Sequence, residues 1–238
     1  SLSDDRWGAG GTFDTRGDDA RPIPDQAQAG DWAGIEARQD SRLSIDHAVI
    51  AYGGGLNRIE NSIGGVNAIE IIQADARITN VFFEHNDSGV GGQAPNQRFG
   101  RGGNDPGVIF IRSAQPVIAN NTFINNTGLA SPVITINANG LTADQVIDGG
   151  RQRSLSREST NPINNLTIDN DRVANHLDNN GPLIVGNLLE NNTFNGMEVR
   201  GSTLTTESVW DDTDIAHLLL NSEVVVPDMH TFGGLRLE

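Results

Sequence analysis

The chain has 238 residues with a formal net charge of −15 and a pI near 4.5, so the phosphates of a nucleic acid would be repelled over most of its surface. All 16 basic residues are arginine and there is no cysteine, which excludes Schiff-base and P-loop lysines, disulfides, thiol nucleophiles and thiolate metal sites. Apolar residues are 36% and aromatics 5%, low for a globular enzyme but adequate for narrow coils, and 28 glycines together with abundant asparagine suit a chain that turns often through left-handed backbone.

Residues 1–31 are acidic, Gly-rich and free of apolar period, and read as an N-terminal loop or edge segment. Within them, Asp14-Thr15-Arg16-Gly17-Asp18-Asp19 alternates oxygen-bearing side chains around a glycine, as calcium loops do, although Arg16 stands where an oxygen ligand is needed. Asp14, Asp18 and Asp19 are the calcium-ligand candidates, against the plainer reading of an acidic loop that binds nothing.

From Trp32 onward, short apolar strands recur to the end of the chain. Gly34-Ile35-Glu36-Ala37 is one, and residues 43–52 alternate apolar and polar until Gly53-Gly54-Gly55 ends the run. The phrases 68–86 and 108–126 are then copies of each other at a constant offset of 40 residues, and 183–192 repeats the second half. Self-similarity of two short strands closed by Asn or Gly marks a solenoid whose coils bury one another. Polar, aperiodic stretches at about 90–106 and 141–180 are loop excursions, the second with room for a hairpin around Leu166-Thr167-Ile168. The expected fold is therefore all-β, with one repeat domain over 32–238. No stretch is long and apolar enough to span a membrane, and no basic-then-apolar leader opens the chain, so an exported form would be a mature product or an excised piece.

Gln115-Pro116-Val117-Ile118-Ala119-Asn120-Asn121-Thr122-Phe123, Gly181-Pro182-Leu183-Ile184-Val185-Gly186-Asn187 and the opening Gly30-Asp31-Trp32-Ala33-Gly34-Ile35 resemble coils of the right-handed parallel β-helix repeat proteins, the group that includes pectate-lyase-like enzymes and many bacterial surface proteins. These phrases cover about two-thirds of the chain by repeat counting. The resemblance implies parallel pairing between coils and asparagine ladders at the corners: Asn86, Asn126 and Asn192 in one row, Asn80 and Asn120 in another. It also implies inner rows through Ile69, Ile109 and Met197 and through Ile50, Phe83, Phe123 and Leu189.

A lyase on that scaffold needs stacked acidic residues holding calcium and a Lys or Arg base. The strand positions taken as exposed, Glu70 and Phe110, form no acidic row, and Arg98, Arg101, Arg151 and Arg153 lie in loops. A hydrolase needs paired carboxylates, yet Asp4-Asp5, Asp18-Asp19 and Asp211-Asp212 all fall near the termini. His47, His85 and His217 lack ligand-spaced neighbours and read as coil-surface residues. The expected function is a non-catalytic structural, adhesion or assembly module of an extracellular or cell-surface bacterial protein; the alternative is a carbohydrate-active lyase or hydrolase. The sequence contains no recognisable capping segment, so the expected partners are a second copy stacked end to end, neighbouring coils of a larger protein, or a carbohydrate.

Overall fold

A computed structural model describes residues 27–59, 62–92, 103–141, 181–211, 213–220, 222–228 and 234–237. Asp14, Asp18 and Asp19, the arginine-bearing loop tips and the Leu166-Thr167-Ile168 segment lie outside the described residues. Within them the chain is all-β, with a single 3-10 turn at Ala138–Leu141 and no α-helix.

Three parallel sheets are built by strands that recur in the same order. The first sheet takes β1 (Ile35–Ala37), β6 (Ile69–Ile72), β9 (Ile109–Arg112), β12 (Pro132–Asn137), β15 (Phe194–Arg200) and β17 (His217–Leu218), in that spatial order. The second takes β2 (Arg42–Asp46), β7 (Asp75–Thr79), β10 (Val117–Ala119) and β13 (Leu183–Val185). The third takes β3 (Val49–Ala51), β8 (Phe82–Glu84), β11 (Thr122–Ile124) and β14 (Leu188–Glu190). The triplets β1–β2–β3, β6–β7–β8, β9–β10–β11 and β12–β13–β14 thus each place one strand on each sheet, parallel to the strand of the triplet before, whereas β15 and β17 extend the first sheet alone. Two small additions are an antiparallel hairpin, β4 (Leu56–Ile59) with β5 (Ser62–Gly65), and a parallel pair, β16 (Ser208–Trp210) with β18 (Leu235–Leu237).

The 40-residue repeat sets the registers of Ile69 on Ile109 and of Phe83 on Phe123, and other strands join the same rows at other offsets. Ile69 lies opposite Ile109, which lies opposite Ile134, which lies opposite Met197, and all four are fully buried. Ile50, Phe83, Phe123 and Leu189 form the second row, with the Phe83 and Phe123 rings stacked at 4.6 Å between centroids. Period-2 alternation sends these residues inward, and each such side chain stabilises the stack by about 1.5–3 kcal/mol through burial.

Three expectations change. Glu70 and Phe110 point away from that core yet are fully buried, because the segment 103–107 folds over this face: Asn67 Nδ2 donates to the Asp105 and Gly107 carbonyls, and Asn104 Nδ2 reaches Gly89 O at 2.6 Å. His217 is not on the coil surface; it pairs in register with Met197, on the inner row, and meets Trp210 edge-on at 5.7 Å. The free edge of β3 is also partly covered: Trp32 Nε1 donates to Ala51 O at 2.6 Å and Trp32 N to Tyr52 O. Among the described residues, no helix is long and apolar enough to cross a membrane.

Candidate functional site on the outer face of the six-stranded sheet

β15 alternates cleanly. Met197 and Val199 are fully buried in the core, so Glu198 and Arg200, two residues apart, share the outer face. Register places Glu198 beside Thr135 of β12, and Thr135 beside Phe110 of β9. The hydroxyl of Thr135 donates to Glu198 Oε2 at 3.2 Å and accepts from Arg200 Nη1 at 2.9 Å. Arg200 also donates through Nη2 to Ile111 O at 2.6 Å, pairs through Nε with Asp105 Oδ2 at 3.2 Å, and lies 4.5 Å over the Phe110 ring. Two carboxylates, one guanidinium and one hydroxyl are thereby gathered on one strand face.

Burial pushes the Glu198 carboxyl above the ordinary range, assisted by the charge of Asp105 and opposed by the Thr135 hydrogen bond and by Arg200. Burial also pulls Arg200 down to about 10, against Asp105 and Glu198, which hold its proton on. At neutral pH the guanidinium stays charged, and each of its three nitrogens is engaged by an acceptor within the protein. Arg200 therefore behaves as a clamp between the 103–107 segment and the sheet, whereas Glu198 keeps one oxygen uncommitted. Among the described residues there is no group of three or more His, Asp or Glu that could hold a metal ion.

The asparagine rows lie at the corners, away from this face. Asn86 Nδ2 donates to Asn126 Oδ1 at 2.9 Å, and Asn126 Nδ2 donates to Asn192 Oδ1 at 2.8 Å. Each side-chain oxygen also accepts a backbone N–H from the circuit before: Gly53 N on Asn86, Asn86 N on Asn126, Asn126 N on Asn192. The second row runs through Asn121 and Asn187, one residue after the Asn120 position expected, with Asn121 Nδ2 donating to Asn187 Oδ1 at 2.9 Å. Asn80 and Asn120 hold the left-handed corner instead, at φ 54° and 57°, and Asn80 Nδ2 donates to Asp46 Oδ1. These are corner fastenings, since their amides bond backbone groups of the strands and turns beside them, such as Ile50 O, Phe83 O and Phe123 O.

No family model, curated protein or solved structure matches this chain. The functional reading therefore rests on the site alone.

Sequence reasoning missed Glu198, Arg200, Asp105 and Thr135 as a group. A signal for half of it was present, since Met197-Glu198-Val199-Arg200 is a strict alternation with apolar partners. Asp105 carried none, because a loop residue reaches a strand face only through the path the chain takes in space.

Proposed function

We propose that the chain is a segment of a right-handed parallel β-helix and serves as a non-catalytic structural module, a spacer, adhesin-like stalk or assembly unit, of an extracellular or cell-surface bacterial protein. The observation that carries this reading is the engagement of Arg200: each of the three guanidinium nitrogens is held by a protein acceptor, Asp105, Thr135 or Ile111 O, so its role on the outer face is to fasten the 103–107 segment to the sheet. The asparagine rows fit the same purpose, because they satisfy the turns of successive circuits in one continuous line. The test is an assay of the purified chain against pectate, alginate and related acidic glycans, with and without Ca²⁺, which also probes the Asp14, Asp18 and Asp19 loop. The expected result is no turnover in either condition.

One observation favours a second reading, a carbohydrate-active site on the same face. Glu198 is half-exposed, its pKa is raised, and Asp105 supplies a second carboxylate on the other side of Arg200. Turnover of any glycan that is lost in Glu198→Gln, with the fold intact by circular dichroism, would put this reading first.

A further inference from the structure

The three parallel sheets do not end alike. Beyond β13, Asp214 N donates to Ile184 O at 3.1 Å and Thr213 bridges Ile184, so the second sheet continues past its last named strand. The first sheet continues through β15 and β17. The third stops at β14, which pairs with β11 alone among the described residues.

The pairing pattern shows which groups are left over. Leu188 N donates to Asn121 O at 2.8 Å and Asn125 N to Glu190 O at 3.1 Å, so residues 188 and 190 turn their backbone groups to β11. In a parallel ladder the residue between them faces the other way, so the N–H and C=O of Leu189 are aimed at the open side. The side chains there are equally uncovered: Leu188 is 58% exposed, Glu190 is exposed, and Leu189, the last member of the Ile50–Phe83–Phe123 row, is only half-buried. The opposite edge of the same sheet shows what a closed edge looks like here, with the Trp32 indole donating to Ala51 O and packing on the core.

We infer that the β14 edge is a docking site for an extended, basic peptide segment of another protein, which adds to it as a parallel strand. Backbone pairing to Leu189 supplies the attachment, as in β-strand addition generally. Register then specifies the occupant: an apolar side chain beside Leu188, an inward apolar side chain capping Leu189, and a cation beside Glu190. The basic character follows from Glu190 and from the chain's net charge of −15, which attracts a cationic segment and repels a second acidic copy. A second copy is further disfavoured because the matching edge it would offer, β3, is already covered by Trp32. The inference stands whether or not the outer face of the first sheet turns over a glycan.

Amide hydrogen exchange and a synthetic probe test it on the full chain. In the free protein the Leu189 amide should exchange at least tenfold faster than that of Phe123, its neighbour in β11. A dye-labelled, amidated probe with the core Val-Ile-Arg, followed by fluorescence anisotropy at low salt, should bind and slow exchange at Leu189. Glu190→Lys and Leu188→Lys, both at exposed positions, should each weaken binding about tenfold or more. Methylating the probe's arginine backbone nitrogen, which would donate to Leu189 O, should weaken it comparably. A Leu189 amide already protected in the free chain would overturn the proposal, as would probe affinity indifferent to both the lysine variants and the methylation. Concentration-dependent self-association abolished by Leu188→Lys would overturn it in favour of a second copy.

Discussion

A single left-handed residue directly follows ten of the fourteen strands of the three parallel sheets. Gln73 and Ser113 follow β6 and β9; His47, Asn80, Asn120 and Gly186 follow the strands of the second sheet; Tyr52, His85, Asn125 and Asn191 follow those of the third. Only one of these is glycine, and an L-residue in that region costs about 1 kcal/mol or more. Gln73→Gly, at φ 53°, should therefore raise stability by about 0.5–1 kcal/mol in urea titration, the gain being trimmed by the greater freedom of glycine in the unfolded chain. The corner asparagines behave oppositely. Asn126→Ala leaves Asn86 N and Phe83 O without their side-chain partner in a buried corner, and should cost about 3–5 kcal/mol. Asn192→Ala, at the half-buried end of the same row, should cost about 1–2 kcal/mol. Equal losses at the two positions would show that the row carries no gradient of burial.

At the scale of elements, β15 supplies both the core and the outer cluster, and β15 and its neighbour β17 respond to pH through different groups. Glu198 has a folded pKa raised above the unfolded value, so the folded state prefers it protonated; its ionisation weakens folding as pH rises through the folded pKa. Glu198→Gln should then be more stable than the parent at pH 7 and no more stable at pH 4. The difference should not exceed about 1 kcal/mol, because the group is half-exposed and screened. On the core side His217, the next member after Met197, has its pKa lowered by burial. Its contribution is intact above the unfolded value near 6.5 and is lost as pH falls below it, since the unfolded chain takes up the proton first. His217→Leu should flatten the fall in denaturation midpoint between pH 7 and pH 5. An unchanged slope would place the titrating group elsewhere. Asp46 acts at lower pH: hydrogen bonds from Asn80, Thr79 and His47 outweigh its partial burial and hold it at about 2, so its share of stability fades only below the ordinary carboxylate range.

For the molecule as a whole, a strand of each parallel sheet pairs only with its immediate neighbours, so protection should be greatest in the middle strands and fall toward the edges. Amides of Ile109, Ile118 and Phe123 should exchange slowest, and those of β1 and β14 faster. Uniform protection would mean that the stack opens only all at once. How much of this was legible without coordinates divides along one physical line. The 40-residue repeat specifies which residues of successive circuits lie side by side, because parallel strands in register repeat the alternation of the pleat; hence Ile69 on Ile109 and Phe83 on Phe123. It also marked Asn86, Asn126 and Asn192 as one row, since Asn recurs there two residues after each of β8, β11 and β14. It left the second row one residue off, because adjacent asparagines such as Asn120 and Asn121 divide two jobs, a left-handed turn and an inward amide, that composition does not distinguish. The burial of Glu70 and Phe110, the clamp of Arg200 on Asp105 and the open edge at Leu189 were decided only in the tertiary structure. Periodicity reports what a strand presents to its own core; what covers its other face, or leaves its edge bare, depends on where aperiodic segments such as 103–107 travel.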